Sequence, residues 1–380
     1  MKIVFIISSL GTGGAERALS LLASSFANHG DDVSIATFAG RRVTPAYFLH
    51  PQIGVHNVDE DLQGKSLLYK VKGVFRVLSK IKSFVKDKAP DVVVTFMDQT
   101  NVLSLIALRS EGIPVVVCEQ IHPEYSSLVN PRQFFFVRAC ARLFRNFCYS
   151  RASGIVVVAR QSKDALPKWL IPKVHVIQNP VARPQLEPTE IRLPPQSIVA
   201  LGRLEEQKRF DILIRAFALI HEKYPAWELF VFGEGSKREA LEKLISDLGL
   251  GSVVHLPGIT NAPYQVLKQA EIFALSSDFE GFPLSLGEAL ASGKPVVVTN
   301  CPSGPAELVQ HGVNGYLCPI GDYRAFASHL EKLVSSTGLV SRMGESAKIS
   351  VEKYSLERIF YKWRELLISV QGKSSSGRKA

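Results

Sequence analysis

The chain has 380 residues, well over twice the length of a typical domain of about 150, so two domains are expected. Hydrophobic residues make up 46% and charged residues 21%, which excludes a disordered, collagen-like or disulfide-scaffold protein. The net charge of +10 is uneven: residues 1–180 carry 22 basic and 13 acidic side chains, whereas residues 181–380 carry 23 and 22. The basic first half predicts a polyanionic partner, for which nucleic acid, an anionic membrane and a phosphorylated substrate all qualify.

Cysteine usage and hydropathy indicate the compartment. The five cysteines show neither a C-x-x-C pair nor metal-ligand spacing, and their odd number disfavours a disulfide framework, so a reducing cytosol is expected. The apolar start Ile3–Ile7 is short and predicts a buried strand rather than a secretory signal. Because no apolar run reaches about 18 residues, the chain is not expected to span a bilayer, although it could lie on one.

The first half alternates short β-rich runs with helical periodicity. Predicted helices include Ala15–Asn28 and Asn101–Arg109. The predicted strands are Lys2–Ile7, Val33–Phe38, Asp91–Phe96, Pro114–Cys118, Gly154–Val158 and Val174–Ile177. This rhythm predicts a parallel sheet with crossover helices.

After a proline-rich linker around residues 183–195, the alternation starts again. Helices are predicted at Phe210–Glu222 and Lys237–Leu248. The predicted strands are Ser197–Leu201, Glu228–Phe232, Val253–Leu256, Ile272–Leu275 and Pro295–Thr299. We therefore predict an α/β protein with two doubly wound, Rossmann-like domains.

The expected domain boundaries are 1–182 and 196–354, followed by a helix at about 355–371 and a disordered tail at 372–380. In doubly wound sheets, ligands bind outside the carboxyl ends of the strands. Where two such domains face each other, the cleft between them is the expected site.

A glycine-rich loop, Gly11–Gly14, joins the first strand to the first helix. Its glycines allow a close backbone approach, and the helix N-terminus favours an anion. A dinucleotide fingerprint would need glycine where Glu16 stands, and the G-x-x-x-x-G-K-[ST] pattern is absent, so NAD binding and P-loop chemistry are disfavoured. A tight turn that simply requires glycine is the alternative.

Two cations, Arg203 and Lys208, follow the first strand of the second domain. Arginine can bind a phosphate bidentately and lysine adds a point charge, so the pair suits a pyrophosphate that has no metal. A solvated loop is the alternative.

Two carboxylates, Glu280 and Glu288, flank a predicted helix start. Pro283 suits the first turn, which places Glu280 in the preceding loop and Glu288 about a turn and a half inside. Carboxylates accept pairs of sugar hydroxyls, and free helix N–H groups suit phosphate and sugar oxygens. Two surface glutamates on an ordinary helix are the alternative.

Together these motifs resemble the family 4 (GT4) retaining glycosyltransferases of GT-B fold, of the G-G-A-E loop type that acts on lipid-linked saccharides. The resemblance covers almost the whole chain, but it says little about donor and acceptor. It rests on G-T-G-G-A-E-R at Gly11–Arg17, G-R-x4-K at Arg203 to Lys208, E-x7-E at Glu280 to Glu288, and S-G-P-A-E at Ser303–Glu307.

The resemblance implies a donor site built mainly from the second domain. Arg203 and Lys208 would hold the diphosphate, Glu288 would bind the ribose, and Glu280 would contact the transferred sugar. The residues expected to line the sugar and phosphate are Gly281, Phe282, Pro283, Leu284 and Ser285. The resemblance further implies that Gly13 and Gly14 close over the diphosphate and that the last helix returns to the first domain.

The family often places a histidine or a glutamate near the reacting sugar, after the fourth strand of the first domain. Here Glu119 and His122 offer both. Glu119 matches the commoner pattern among relatives with the G-G-A-E loop, and His122 is displaced from the usual histidine position. Both are candidates.

No metal and no cofactor are predicted. Pre-placed cations and helix N-termini can stabilise the charge left on the departing β-phosphate. The D-x-D run Asp59-Glu60-Asp61 lies outside the motif cluster, so metal-dependent chemistry of the GT-A kind is not favoured. Retention of configuration is implied by the resemblance alone.

Two basic stretches suggest a membrane surface. Lys65–Lys88 contains eight basic residues and one acid, Asp87, and Tyr125–Lys163 contains no acid but has arginines beside phenylalanines. The first stretch has a predicted apolar stripe, Leu67, Val71, Val74, Leu78, Ile81 and Val85, beside a basic row, Lys72, Arg76 and Lys80. We expect the first domain to lie peripherally on the cytoplasmic face of the inner membrane and to present this row to a lipid-linked diphosphate. A packed helix with a solvated rim is the alternative.

The leading hypothesis is transfer of a hexose or N-acetylhexosamine from a UDP-sugar to a polyprenyl-diphosphate-linked saccharide, in cell-surface polysaccharide or glycoprotein glycan assembly. One alternative uses GDP-mannose or another donor with a different lipid or a lipopolysaccharide-core acceptor. A second is a nucleic-acid-binding protein, which has no recognition motif in its favour, so no nucleic-acid partner is predicted. A third, an inactive GT-B protein, is disfavoured because all four charged motif residues are present.

Overall fold

A computed structural model describes residues 1–38, 44–58, 67–129, 134–182 and 191–376, with side chains from residue 73 in the second helix and up to residue 372 in the last. The chain divides into two compact units. The first unit comprises Met1–Pro180 and the C-terminal helix, and the second comprises Val181–Ser355. The predicted linker residues 183–190 and the Asp59-Glu60-Asp61 run lie outside the described residues.

The first unit contains a seven-stranded parallel sheet. Its strands are β1 (Lys2–Ile7), β2 (Asp32–Thr37), β3 (Gly54–Asn57), β4 (Val92–Phe96), β5 (Val115–Glu119), β6 (Gly154–Val157) and β7 (Val174–Val176), in the order β3-β2-β1-β4-β5-β6-β7. Its helices are α1 (Gly14–Asn28), α2 (Leu67–Lys88), α3 (Asp98–Ala107), α4 (Phe135–Tyr149) and α5 (Arg160–Asp164), with short 3₁₀ segments at Pro123–Tyr125 and Lys168–Lys173. Strands such as β4 are buried along their whole length because helices cover both faces of the sheet.

The second unit contains a six-stranded parallel sheet. Its strands are β8 (Ser197–Leu201), β9 (Glu228–Phe232), β10 (Val254–Gly258), β11 (Ile272–Leu275), β12 (Val296–Thr299) and β13 (Gly315–Cys318), in the order β10-β9-β8-β11-β12-β13. Its helices are α6 (Phe210–His221), α7 (Arg238–Asp247), α8 (Pro263–Gln269), α9 (Leu284–Ala291), α10 (Pro305–Leu308), α11 (Tyr323–Val334) and α12 (Thr337–Ser350), with 3₁₀ segments at Glu206–Lys208 and Glu352–Tyr354.

The last helix, α13 (Leu356–Ser376), belongs to the first unit. Phe360 packs against Phe26 of α1 with ring centroids 4.9 Å apart, and the Arg364 guanidinium lies 2.8 Å from the Asp31 carboxylate. The prediction of a disordered tail from Gly372 is wrong over residues 372–376, because the helical backbone continues to Ser376; residues 377–380 lie outside the described residues.

The predicted fold class, two doubly wound parallel α/β sheets, is confirmed. Two strands were not predicted. In β3 the side chains are partly or fully exposed, so the strand lacks an apolar signal, and β13 is only four residues long and begins at Gly315. Both lie at sheet edges, where a short strand needs little apolar sequence.

The predicted apolar stripe of α2 is wrong in one position. Val77, Ile81 and Val85 are buried in the core of the first unit, whereas Val74 is 43% exposed. The buried face is therefore rotated relative to the prediction, and the sheet beneath it covers the apolar side of α2. Of the residues assigned to this stripe, Leu67 and Val71 have side chains outside the described ones.

Candidate functional site

The strand order reverses once in each sheet, and the predicted site residues cluster at these reversals. In the first unit β1 lies between β2 and β4, and in the second β8 lies between β9 and β11. In doubly wound folds the connections leave such a pair of strands on opposite faces, which opens a crevice at their carboxyl ends. Lys208 follows β8 and Glu280 follows β11, so the second crevice brings these two residues together.

Lys208 and Glu280 form an ion pair. The Lys208 ammonium donates to Oε1 of Glu280 at 2.6 Å, although the two residues are 72 positions apart in sequence. Both side chains are largely buried, with 13% and 8% exposed. The fixed cation and one of the two predicted carboxylates therefore occupy one small region at the edge of the second sheet.

Ser277 also contacts Glu280. Its hydroxyl donates to the same oxygen, Oε1, at 2.6 Å, and Ser277 itself is fully buried. The Ser277 carbonyl accepts a hydrogen bond from Thr299, which ties this segment to the end of β12. Because both donors converge on Oε1, they fix the orientation of the carboxylate and leave its second oxygen for another partner.

Helix α9 begins directly after this pair. Its first backbone bonds run from Leu286 and Gly287 to the Pro283 carbonyl, so the amides of Leu284 and Ser285 precede the first hydrogen bond of the helix. Pro283 stands one residue before the helix rather than in its first turn, whereas Glu288, the fifth helical residue, lies about a turn and a half inside as predicted. Glu288 is 3% exposed, and Ser285 is half-buried at the helix start.

The loop before α9 is supported by Gly304. Gly304 has a φ of +85°, and a Cβ placed there would lie 2.5 Å from Cδ of Pro283 and 2.6 Å from the carbonyl oxygen of Gly281. Only glycine satisfies both the backbone conformation and the close approach. The Phe282 ring, which is buried, contacts Tyr354 from the other side.

Arg203 lies on the same edge but is exposed. The loop that carries Arg203 is held by the β9–α7 connection. Glu205 of this loop accepts hydrogen bonds from the backbone N–H and the hydroxyl of Ser236, which lies on that connection. A Cβ at Gly233 would lie 1.9 Å from the carbonyl oxygen of Gly202, so the two loops meet backbone to backbone. Arg203 thus projects from a rigid base without being buried.

In the first unit, the glycine loop leads into α1. Gly14 has open space around its Cα, whereas a Cβ at Gly13 would lie 2.0 Å from the Glu16 carboxylate. Glu16 in turn accepts a hydrogen bond from Ser9 at 3.0 Å. The carboxylate of Glu16, a residue of α1, therefore lies against the glycine loop.

Glu119 is buried, with 1% of its surface exposed, at the carboxyl end of β5. Its Oε1 accepts a hydrogen bond from the Tyr149 hydroxyl, and its Oε2 has no hydrogen-bond partner among the described residues. Burial, and secondly the charge of Asp98, raise the pKa of Glu119 from 4.5 to about 7. In this conformation Glu119 is a buried acid beneath the surface of the crevice.

His122 lies three residues further on and is partly exposed. Its Nδ1 accepts the backbone N–H of Glu124 at 3.3 Å, and its ring contacts Tyr125 edge-on. Burial lowers the pKa of His122, which favours the neutral ring. Because Nδ1 is the acceptor, the proton of the neutral ring lies on Nε2, which can donate to a ligand.

The loop that carries His122 is anchored by polar side chains from two helices. Asp98, at the start of α3, accepts bonds from the Ser127 hydroxyl and the Leu128 amide, each at 2.7 Å. Arg145 of α4, which has no exposed surface, donates to the Pro123 carbonyl at 2.5 Å. The two anchors hold the loop over the ends of β4 and β5.

The predicted basic row of α2 consists of Lys72, Arg76 and Lys80. Arg76 is exposed and Lys80 is half-buried, and neither forms an ion pair within the described part of the chain. The side chain of Lys72 lies outside the described residues. Lys82 and Lys86, on a neighbouring row, share the carboxylate of Glu111.

Comparison with known proteins identifies the family of the chain. Residues 13–182 match the family described as "Glycosyl transferase 4-like domain", and residues 183–350 match "Glycosyl transferases group 1". The chain belongs to the GT4 (group 1) glycosyltransferases. It is therefore a GT-B enzyme that transfers a sugar from a nucleotide sugar.

Individual relatives are distant but span the whole glycosyltransferase. An uncharacterized glycosyltransferase of Haemophilus influenzae is 26% identical over 370 residues, covering 96% of this chain and 99% of the relative. The GalNAc-α-(1→4)-GalNAc-α-(1→3)-diNAcBac-PP-undecaprenol α-1,4-N-acetyl-D-galactosaminyltransferase of Campylobacter jejuni is 25% identical over 374 residues, covering 98% and 99%. The structure of Anabaena HepE in complex with UDP-glucose superposes with a TM-score of 0.77 at 20% identity, covering 97% of this chain and 100% of HepE.

Ser277 and Tyr149 contact predicted site residues of the glycosyltransferase but were not predicted, and neither was Asp98, which binds the loop that carries His122. Asp98 follows β4 directly, so the rule that ligands gather at the carboxyl ends of strands was sufficient to single it out. Ser277 likewise follows β11. Tyr149 lies 30 residues after Glu119 at the end of α4, and no local pattern connects the two.

Proposed function

We propose that this glycosyltransferase moves a hexose or N-acetylhexosamine from a UDP-sugar to a polyprenyl-diphosphate-linked saccharide, with retention of configuration. The reaction takes place on the cytoplasmic face of the inner membrane and serves the assembly of a cell-surface polysaccharide or a glycoprotein glycan. The observation that carries the proposal is the Lys208–Glu280 pair at the start of α9, in which a cation for the diphosphate and a carboxylate for the sugar lie side by side.

Lys208 is suited to hold the donor diphosphate. An ammonium has three N–H donors, and the bond to Glu280 uses one of them, so two can reach phosphate oxygens. Arg203 adds a second, exposed cation, and the amides of Leu284 and Ser285 point from the positive end of α9. These groups together stabilise the charge that develops on the β-phosphate as the sugar departs.

The remaining predicted donor contacts keep their assigned roles. Glu280 contacts the transferred sugar through Oε2, while Ser277 and Lys208 hold Oε1. Glu288 binds the ribose, Gly281, Phe282 and Pro283 line the sugar through their backbone, and Gly13 and Gly14 contact the diphosphate. The list of donor-binding residues is therefore unchanged from the sequence prediction.

Of the two candidates in the first unit, we assign the contact with the reacting sugar to His122. Its Nε2 can donate to a sugar or phosphate oxygen, whereas Glu119 is buried and bound to Tyr149. Glu119 then supports the loop from below rather than touching the substrate.

UDP is the favoured nucleotide because HepE, whose fold this chain shares, has been crystallised with UDP-glucose. A lipid-linked acceptor is favoured because the Campylobacter jejuni relative is named for a PP-undecaprenol substrate. The basic row Lys72, Arg76 and Lys80 would bind the acceptor diphosphate. None of the helices in the described part of the chain could span a bilayer.

A panel of UDP-, GDP- and ADP-sugars, scored for nucleotide release with and without a polyprenyl-diphosphate saccharide, tests the proposal. Release that requires both a UDP-sugar and the lipid-linked saccharide is expected, and release only with GDP-mannose would overturn the donor assignment. Lys208→Ala and Glu288→Ala should each lower transfer by at least about 10²-fold. Lys223→Ala, which breaks an exposed Lys–Glu pair in the same unit, is the matched control and should leave it intact.

Two further measurements address the chemistry. EDTA should leave turnover unchanged, because Lys208, Arg203 and the start of α9 provide the positive charge; loss of turnover restored by Mn²⁺ would contradict this. The anomeric configuration of the product, read by NMR, should equal that of the donor sugar.

A further inference from the structure

Helix α4 has its polar and apolar faces reversed. Large apolar side chains of residues 134–147 are exposed, from 51% at Phe144 to 88% at Phe134, while Arg145 has no exposed surface and Asn146 is buried. Of the twenty exposed large hydrophobic side chains in the described residues, seven fall here: Phe134, Phe135, Phe136, Val137, Leu143, Phe144 and Phe147. Such a concentration of apolar surface is unusual for a face that meets only water.

The exposed side chains form a continuous surface. Phe136, Cys140, Leu143 and Phe147 follow one another at spacings of four, three and four, which places them along one side of the helix. Val137 and Phe144, seven residues apart, lie along the adjoining row. We call this set of six residues the α4 outer face.

Positive charge borders the α4 outer face. Arg142 and Arg151 are exposed, and the Arg151 guanidinium lies 4.4 Å from the centre of the Phe147 ring. Glu124 is shared by Arg138 at 2.8 Å and Arg142 at 3.5 Å, so one carboxylate faces two cations. Aromatic and aliphatic groups rimmed by arginine match the acyl boundary and the headgroups of an anionic lipid surface.

The inner side of α4 is polar because it holds the loop that carries His122. Arg145 donates to the Pro123 carbonyl and to Asn146, and Arg138 pairs with Glu124. The polar residues of α4 therefore face inward, where they bind the loop, and its apolar residues face outward.

We propose that the α4 outer face docks the first unit onto an anionic bilayer, with Phe136, Leu143, Phe144 and Phe147 inserted among the lipids and Arg142 and Arg151 on the headgroups. This inference rests on the membrane location proposed above. Of the two basic stretches that the sequence suggested for a membrane surface, Tyr125–Lys163 contains α4, whereas the apolar face of α2 in the other stretch is buried in the core. Because α4 also holds the His122 loop, docking brings that loop next to the membrane in which a lipid-linked acceptor resides.

Cys140 offers a direct test. It lies within the α4 outer face and is exposed, whereas the other four cysteines are buried, so a polarity-sensitive thiol probe can be attached to it selectively. Vesicles containing 30% phosphatidylglycerol should shift the emission of the labelled full-length protein to shorter wavelength, as about 5–10 Å of insertion requires. Pure phosphatidylcholine vesicles should give a weaker shift. No shift with either vesicle would overturn the proposal.

Flotation of matched variants adds a second readout. Phe136→Ser with Phe147→Ser should lower vesicle binding at least ~10-fold, since the variant loses two large apolar groups that would be buried among the lipids. Phe75→Ser, at a 69% exposed position on α2, should bind as wild type. Equal loss in both variants, or equal retention in both, would contradict the assignment to α4. Circular dichroism and thermal melting confirm that each variant folds.

Two other outcomes separate this inference from its alternatives. Concentration-dependent dimers that disappear in the Phe136→Ser, Phe147→Ser variant, without vesicle binding by wild type, would assign the α4 outer face to a second copy and overturn the proposal. Transfer to a short-chain acceptor in detergent is measured in parallel and should be equal in wild type and variant. Vesicle binding without any transfer would sustain the docking surface while rejecting the proposed reaction.

Discussion

The two sheets place their predicted site residues in opposite ways. At the edge of the second sheet, Lys208 and Glu280 meet across neighbouring strands in a 2.6 Å ion pair, beside the start of α9. At the edge of the first sheet, Glu119 is buried against Tyr149, and the partly exposed group is His122. In the second unit a largely buried ion pair lies at the crevice, whereas in the first unit the carboxyl group of Glu119 is fully buried beneath it.

The two sites differ because different parts of the fold surround their charged residues. Lys208 and Glu280 lie on loops that leave adjacent strands, so the topology alone brings them together. The environment of Glu119 is created by α3 and α4, through Asp98, Arg145 and Tyr149. Sequence spacing therefore predicts the environment of Glu119 poorly, and four predictions test this contrast between the two units.

The largest effect is expected from separating the Lys208–Glu280 pair. Lys208→Ala should lower turnover by about 10²–10³-fold, the usual cost of losing a charge-stabilising donor, and should weaken UDP binding. Glu280→Gln should lower turnover to a similar extent while leaving UDP binding equal or stronger, because Lys208 loses its competing carboxylate. Turnover assays and calorimetry with UDP measure both quantities. If both variants weakened UDP binding alike, the proposed assignment of the diphosphate to Lys208 and of the sugar to Glu280 would be wrong.

Gly304→Ala should destabilise the second unit by about 2–4 kcal/mol, because a positive φ and a contact with the Gly281 carbonyl both oppose a side chain. Gly312→Ala is the matched control: its φ is +79° but no atom lies within 4 Å of the added Cβ, so about 1 kcal/mol is expected. Denaturant unfolding gives both values. Equal losses would show that the support of the loop before α9 contributes nothing.

His122→Ala should reduce turnover by about 10–100-fold, the equivalent of one hydrogen bond of 1–3 kcal/mol to a charged or polarised group. Glu119→Gln keeps an acceptor for the Tyr149 hydroxyl and should cost only a few-fold. Steady-state kinetics at pH 7 compares the two. A larger loss in Glu119→Gln would reverse their roles and remove the contrast between the two sheets.

The smallest effect concerns stability against pH. Because burial raises the pKa of Glu119 to about 7, the folded protein binds a proton that the unfolded chain releases, and this contribution to stability is lost as pH rises from 4.5 to about 7. Glu119→Gln lacks this loss, so its melting temperature relative to wild type should rise between pH 4.5 and pH 8. A constant difference across this range would show that Glu119 is not a buried acid.

Much of the fold could be predicted because the strands are buried on both faces. Runs such as Val92–Phe96 carry a strong apolar signal, and their alternation with helices determines a parallel sheet. Gly54–Asn57 carries no such signal, because its side chains are partly or fully exposed. The heptad-like pattern of α2 predicted a stripe but not its rotation, since Val74 and Val77 both fit the spacing and only the sheet beneath selects Val77.

Less of the site was predictable. The charged motif residues could be named from their spacing, but the bond from Ser277 to Glu280 depends on the path of the chain after β11. The raised pKa of Glu119 depends on residues up to 30 positions away, which no local pattern connects. The reversed faces of α4 follow from the loop bound by Arg145, so the sequence shows the amphipathic helix but not which side is outward.

The Lys208–Glu280 pair also means that the site carries its own counter-ion. A lysine without a carboxylate partner would bind an anion from solution and release it when a nucleotide sugar bound. Here the carboxylate of Glu280 already neutralises Lys208, so a diphosphate shares the ammonium with a group of the protein itself. The dependence of donor affinity on ionic strength should therefore arise mainly from the exposed Arg203, and Lys208 should contribute selectivity for the sugar-bearing diphosphate rather than general attraction for anions.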